Sequence, residues 1–152
     1  MLSQFSREGD HPTLADLDFE FPKDVYPVGR LDADSEGLLL LTNDNFLKTK
    51  LLDPKNRHTR TYYVQVDGEI DKAACMKLSD GVNITINGKM YHTLPAMAKC
   101  IEAPETPERN PPIRYRKNIP TSWLSLSLHE GKNRQVRRMT AAVGFPTLRL
   151  IR

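Results

Sequence analysis

The chain carries the stretch GRLDADSEGLLLLTND at residues 29–44, where a cluster of polar residues is followed by four consecutive leucines. The leucine run is too short to cross a membrane, and the turn-forming residues on both sides of it predict a buried strand. Asp32 would then lie close to the core, where a carboxylate is costly unless a cation, N–H donors or a substrate pairs with it. A plain turn capped by Asp32 and Ser35 accounts for the same spacing, and from the spacing alone this turn is the favoured interpretation.

The rest of the hydrophobic pattern predicts a mixed α+β fold with a mainly antiparallel sheet and flanking helices. Residues 60–68 alternate strictly, which places Tyr62 on the same side as the core valines of that strand. Asn87 and Gly88 predict a hairpin turn, and a length of 152 residues suits a single domain. Further strands are predicted at residues 82–86, 89–103, 122–128 and 148–151, and helices at residues 12–17, 46–52, 71–80 and 134–143.

Charge is distributed unevenly along the chain, although the formal net charge is only +3. Residues 1–108 contain 12 Lys/Arg and 18 Asp/Glu, whereas residues 109–152 contain 10 Lys/Arg and a single acid, Glu130. The C-terminal quarter is therefore a candidate surface for a polyanion. A solvated basic face would give the same count, so charge by itself leaves both interpretations open.

The cysteine and histidine residues do not form a ligand pattern. Cys75 and Cys100 are isolated in the sequence and lack Cys-x-x-Cys spacing, so we expect two structural thiols in a reducing compartment. The four histidines are scattered, and we expect neither a metal nor a cofactor. Neither a membrane span nor a signal peptide is indicated, and we expect a cytoplasmic monomer that does not bind a membrane.

Three motifs resemble those of the pseudouridine synthases that modify ribosomal RNA, in the branch typified by the small-subunit enzyme A. They are the stretch at residues 29–44, RTYYV at residues 60–64 and EGKNRQVRRM at residues 130–139. Softer matches at residues 110–124 and 144–152 resemble members that modify large-subunit RNA. The resemblance implies a pseudouridine synthase catalytic domain that acts on ribosomal RNA, with the large subunit favoured, and that needs no cofactor.

The resemblance also implies roles for individual residues. Asp32 is the catalytic carboxylate, acting either as a nucleophile on the ribose or base or as the base that removes the C2′ proton. Tyr62 stacks on the target uracil, whereas its periodicity alone predicts an aromatic core residue. Arg137 supplies the cation that balances the carboxylate in a dry pocket, and the alternatives are a phosphate contact or a plain surface arginine.

A uridine in structured RNA is reached only after it is extruded from its stack, which leaves a gap for a side chain to fill. Arg30 and Leu31, next to Asp32, are candidates to fill that gap. Basic side chains would bind the RNA backbone without sequence preference, and the candidates are Arg114, Arg116, Lys117, Lys132, Arg134 and Arg138.

Two other classes of function remain open. A non-catalytic RNA-binding module, or an inactive fragment of such an enzyme, would bind RNA regardless of Asp32. A hydrolase of nucleosides or glycosides would need a second carboxylate, such as Asp34 or Glu36, placed to activate water. In the family a strand and often a small RNA-binding domain precede this region. We therefore expect residues 1–152 to be a single catalytic domain truncated at both ends, without a separate N-terminal RNA-binding domain.

Overall fold

A computed structural model describes residues 1–113 and 118–152 of the chain. The chain divides into two compact units, Met1–His58 and Thr59–Arg152. Their strands form one four-stranded and two two-stranded sheets, and every pairing between strands is antiparallel in the described residues. The predicted mixed α+β class with a mainly antiparallel sheet is therefore confirmed. Among the helices of the described residues, none is long and apolar enough to cross a membrane.

The N-terminal unit contains one short strand pair and one α-helix. β1 (Tyr26–Pro27) pairs with β2 (Leu41–Thr42), and α1 (Asn45–Leu52) follows directly. A 3₁₀ turn at Leu14–Asp16 lies where the sequence predicts a short helix. This unit therefore contains little regular secondary structure, and most of its residues lie in turns and loops.

The prediction of a buried leucine strand is wrong. Only the last leucine of the run, Leu41, belongs to a strand, and β2 is two residues long. The side chains of Leu38 and Leu40 are 64% and 45% exposed. A strand is buried on both faces only when further layers cover it. β2 belongs to a sheet of only two strands, and the residues that lead into it, Leu38 and Leu40, remain in contact with solvent.

The helix predicted at residues 46–52 is present as α1. Asp44 begins the helix, because its Oδ1 accepts the N–H groups of Phe46 and Leu47 at 2.8 and 3.1 Å. Pro54, two residues beyond the end of the helix, starts a 3₁₀ turn. The side chains of Phe46 and Leu47 are 76% and 40% exposed, so these two apolar residues of the helix are not buried in a core.

The C-terminal unit is organised around a four-stranded sheet formed by β3 (Arg60–Asp67), β6 (Met97–Ile101), β7 (Thr121–Leu128) and β8 (Thr147–Ile151). The strands lie in the order β6-β7-β3-β8. Its two long central strands pair along their whole length, with Tyr62 opposite Leu126 and Val64 opposite Leu124. The predicted alternation of β3 is confirmed, because Val64 and Val66 are buried, and they pack beside the buried Leu124 and Leu126 of β7.

Two helices complete the core on this sheet. α2 (Lys72–Asp80) buries Leu78 completely and packs against β6, and α3 (Gln135–Ala142) buries Met139 completely and contacts β8. Thr140 ties α3 to the sheet, since its hydroxyl lies 2.8 Å from that of Thr147. Both helices lie where the spacing predicts them, so the helical periodicity of these two segments is confirmed.

The packing of α2 on β6 brings together two cysteines that are isolated in the sequence. The two sulfur atoms, Cys75 Sγ in the helix and Cys100 Sγ in the strand, lie 3.3 Å apart, and both thiols are free. Their separation in sequence concealed this, because the contact depends on which helix packs on which strand.

The hairpin is present at its predicted turn, but its return strand is shorter than expected. β4 (Asn83–Ile86) and β5 (Lys89–His92) are joined by Asn87 and Gly88, whose φ angles of 49° and 76° suit the tight turn of a hairpin. The single return strand predicted over residues 89–103 is wrong. β5 ends at His92, and the chain passes through Pro95, which cannot donate to a ladder, before it enters the four-stranded sheet as β6.

The segment between β6 and β7 contains no helix or strand at residues 104–113 and 118–120, and residues 104–113 form a loop. Arg149 of β8 is buried and holds this loop, because its Nη2 donates to the carbonyl of Pro107 at 2.8 Å. Its Nη1 also donates to the hydroxyl of Thr106 at 3.3 Å. One arginine of the basic C-terminal quarter is thus structural and is not part of an exposed surface.

Candidate active site

The backbone around Asp32 is held by the first residues of the chain. The hydroxyl of the buried Ser3 accepts the N–H group of Leu31 and donates to its carbonyl, both at 2.8 Å. The carbonyl of Asp32 itself accepts the N–H group of Ser35 at 2.9 Å, which closes a turn. A loop without regular structure therefore gains a defined backbone at Leu31 and Asp32.

The side chains of this loop differ in exposure. Those of Leu31 and Asp32 are half-buried and that of Arg30 is exposed. Gly29 lies at a φ of 76°, a conformation that favours glycine, and a Cβ added there would lie 3.3 Å from Leu52 Cδ2 of α1. The glycine before the motif therefore allows the chain to turn into the loop while passing close to the helix.

Tyr62 lies on β3 in the C-terminal unit, between the core valines and the start of the strand. Its side chain is half-buried and packs against the hydrophobic core. The predicted orientation, on the same side as Val64 and Val66, is confirmed. The partial exposure leaves part of the ring accessible at the surface, so a stacking role stays compatible with its position.

The basic segment, which we define as residues 131–138, runs from the end of β7 into α3. Arg134 begins the helix with a φ of 49°, and no side chain caps this end of the helix. Lys132 and Arg134 are exposed, whereas Arg137 and Arg138 are half-buried on the helix. Arg138 donates to the carbonyl of Thr85 in β4 and to Asn133 Oδ1, the latter at 3.2 Å, so it joins the hairpin to the basic segment.

A single carboxylate precedes this segment and collects three donors. Glu130 Oε1 accepts the backbone N–H of Leu94 at 2.9 Å and Gln135 Nε2 at 2.6 Å. Glu130 Oε2 accepts the hydroxyl of Tyr91 at 2.5 Å. This hydrogen bond, together with burial, raises the pKa of Tyr91 to about 12. The phenol is therefore held in its neutral, donating form.

The structure distributes the predicted site residues over the two units. Asp32, Arg30 and Leu31 belong to the N-terminal unit and are consecutive in one loop. The C-terminal unit holds Tyr62 on β3 and brings Lys132, Arg134, Arg137 and Arg138 together on the basic segment. Three predicted RNA-binding residues, Arg114, Arg116 and Lys117, lie outside the described residues.

Sequence reasoning missed three residues that shape this region. Ser3 gave no signal, because a lone serine near the start of a chain has no distinctive pattern. Glu130 did carry one, since it is the only acid among residues 109–152. Gln135 lies inside the third motif, but only its burial, at 4% exposure, shows that it is part of the interior. In the described residues no cluster of three or more His, Cys, Asp or Glu is placed to hold a metal ion.

Comparisons with known proteins identify the family of this chain. The profile of the RNA pseudouridylate synthase family matches residues 6–142, and the chain belongs to that family. It is 54% identical to the ribosomal large subunit pseudouridine synthase E of Vibrio parahaemolyticus over 99% of its length, and 48% identical to the protein of the same name from Xanthomonas axonopodis over 100%.

The chain is shorter than these relatives. It spans 61% of the Vibrio protein and 78% of the Xanthomonas protein. A crystal structure of a pseudouridylate synthase superposes with a TM-score of 0.71 at 27% sequence identity, covering 94% of this chain and 54% of that one. The fold described above is therefore shared with a solved member of the family.

Proposed function

We propose that this chain converts a specific uridine of large-subunit ribosomal RNA to pseudouridine. The observation that carries the proposal is the 54% identity to a ribosomal large subunit pseudouridine synthase E across 99% of this chain. The matched family span, residues 6–142, includes Asp32, Tyr62 and Arg137. We also infer that the chain belongs to the branch typified by the small-subunit enzyme A, as its motifs suggest.

The reaction suits a chain that relies on its own side chains. The bond between ribose C1′ and uracil N1 breaks, the uracil turns, and C1′ bonds to C5. The proton on C5 leaves for solvent and N1 gains a proton, so the isomerisation is redox-neutral and imports no group. One carboxylate can start this process, either as a nucleophile on the ribose or base or as a base at C2′.

Asp32 is the proposed catalytic carboxylate. Its backbone is fixed by the turn to Ser35 and by the two hydrogen bonds between the Ser3 hydroxyl and the Leu31 backbone. A loop that is already ordered loses less conformational entropy when the RNA binds. Tyr62 is proposed to stack on the uracil, and Arg137 to supply the cation for the carboxylate. Arg30 and Leu31 are proposed to fill the gap that the extruded nucleotide leaves.

The basic segment is the proposed surface for the RNA backbone. Lys132 and Arg134 are exposed and close together in the chain, and Arg138 orders Asn133 beside them. Cations on one segment bind successive phosphates and release counterions, which makes binding salt-dependent but indifferent to sequence. Arg114, Arg116 and Lys117 are proposed to add to this surface.

The test is tritium release from large-subunit ribosomal RNA labelled at uracil C5, with Asp32→Ala and the isosteric Asp32→Asn beside the wild type. We expect release from the wild type and a loss of at least about a thousandfold in both variants, because the carboxylate is the reacting group. A small-subunit transcript is the control for the choice of substrate.

Two outcomes would contradict the proposal. RNA binding without tritium release, unchanged in Asp32→Ala, would identify a non-catalytic binding module. Release of free uracil would identify a hydrolase, in which Asp34 or Glu36 activates water.

A further inference from the structure

Glu130 connects three parts of the C-terminal unit through one side chain. Its carboxylate accepts hydrogen bonds from Tyr91 on β5, from the backbone of Leu94 after β5, and from Gln135 at the start of α3. A carboxylate is suited to this position because it accepts only, and all three partners donate. The short distances of 2.5, 2.9 and 2.6 Å are typical of charge-assisted hydrogen bonds.

Two of these partners also hold Lys132. Gln135 Oε1 accepts the backbone N–H of Lys132 at 2.9 Å, and Gln135 Nε2 donates to Glu130. Lys132 Nζ lies 5.0 Å from the centre of the Tyr91 ring, within the range of a cation–π contact. Glu130 thus fixes Gln135, which binds the backbone of Lys132, and Tyr91, whose ring contacts the ammonium group of Lys132.

We propose that Glu130 is a positioning residue that holds Lys132 in the geometry that binds an RNA phosphate. The proposal rests on the proposed function, since it assigns Glu130 a part in RNA binding by the basic segment. Glu130 does not itself contact RNA in this proposal and acts only through Tyr91, Gln135 and Lys132.

The sign of the effect separates positioning from simple electrostatics. Glu130 is an anion beside a basic surface, and by charge alone its removal should strengthen the binding of a polyanion. Loss of the hydrogen bonds in Glu130→Ala should instead weaken binding, because Lys132 loses both its fixed backbone and its fixed ring. Glu130→Gln removes the charge but keeps one acceptor oxygen, and its amide can donate to the Tyr91 hydroxyl.

The experiment measures the dissociation constant of the full chain for unmodified large-subunit ribosomal RNA transcribed in vitro, over a series of salt concentrations. We expect Glu130→Ala to bind about tenfold more weakly, the effect of one charge-assisted contact. Its slope of log affinity against log salt should fall by about 0.7 to 0.9, equivalent to one phosphate contact. Glu130→Gln should stay within about twofold of the wild type.

A double-mutant cycle with Lys132→Ala tests the route of the effect. If Glu130 acts through Lys132, the double variant Glu130→Ala with Lys132→Ala should bind no more weakly than Lys132→Ala alone. Additive losses would overturn the proposal. Binding by Glu130→Ala that equals or exceeds that of the wild type would overturn it as well.

A structural readout keeps the test valid if Glu130→Ala is unstable. Gln135→Met has a similar shape but cannot bridge Glu130 to Lys132, so it should weaken RNA binding as Glu130→Ala does. In NMR spectra the side-chain methylene protons of Lys132 should be shifted upfield by the Tyr91 ring in the wild type and in Glu130→Gln, and less so in Gln135→Met. Equal shifts in all three proteins would contradict the proposed arrangement.

The two proposals fail in different ways. A wild-type chain that does not bind the RNA would overturn the proposed function together with this inference. Tritium release by the wild type, combined with undiminished RNA binding by both Glu130→Ala and Gln135→Met, would overturn this inference alone.

Discussion

Cys75 Sγ and Cys100 Sγ lie 3.3 Å apart where α2 packs against β6. Cys75 is buried in the core, whereas Cys100 is exposed. Burial of Cys75, followed by its hydrogen bond with Cys100, raises the pKa of Cys75 to about 12 from an ordinary value of 9.0. The two thiols are therefore neighbours in space with very different access to solvent and reagents.

This difference predicts selective alkylation. The thiolate is the reactive form, so at pH 8 iodoacetamide should modify Cys100 and leave Cys75 unmodified in the folded chain, as measured by peptide mass spectrometry. Because the raised pKa favours the neutral thiol, its contribution to stability is present below about pH 9 and is lost as the pH rises toward 12. The control is the chain in urea, where both cysteines should react. Equal rates in the folded chain would contradict the buried position of Cys75.

The packing of α2 predicts two different outcomes for substitutions on the same helix. Leu78 is completely buried in the core, and Met76 is 66% exposed. Leu78→Ala should lower the free energy of unfolding by about 2 to 5 kcal/mol, because it leaves a cavity. Met76→Ala should change that free energy by less than about 0.5 kcal/mol. Urea unfolding followed by circular dichroism measures both, and similar losses would show that α2 is not oriented as described.

The two hydrogen bonds between the Ser3 hydroxyl and the Leu31 backbone predict an effect of Ser3→Ala on the loop that contains Asp32. The substitution removes a donor and an acceptor from the Leu31 backbone, and each buried group left without a partner costs about 1 to 3 kcal/mol. Hydrogen exchange at the Leu31 amide should therefore become faster. On the proposed function, the rate of tritium release at saturating RNA should also fall, since Asp32 is the next residue.

Ser6→Ala is the matched control for this prediction, because Ser6 is exposed and only three residues away. It should leave both the exchange of the Leu31 amide and the rate of tritium release at the wild-type level. Unchanged exchange in Ser3→Ala would show that the loop is held by other contacts.

The local elements of the C-terminal unit were determined by the sequence itself. The alternation of β3, the strand at residues 122–128, the helix at residues 71–80 and the turn at Asn87 and Gly88 all appear where they were predicted. These patterns are local: side chains alternate along a strand, recur every three or four residues on a helix, and certain residues favour a left-handed turn. Neighbours in the chain contain enough information to specify them.

Only the tertiary structure decided which of these elements meet and which side chains are left in solvent. The leucine run has the composition of a buried strand, yet burial depends on the layers that cover it, and Leu38 and Leu40 remain exposed. The same holds for the site. The sequence motifs predicted Asp32, Tyr62 and Arg137 as candidate site residues. Other features depend on contacts between distant segments, which no periodicity in the chain encodes. They are the hydrogen bond from Ser3 to the Leu31 backbone and the three hydrogen bonds that Glu130 accepts from Tyr91, Leu94 and Gln135.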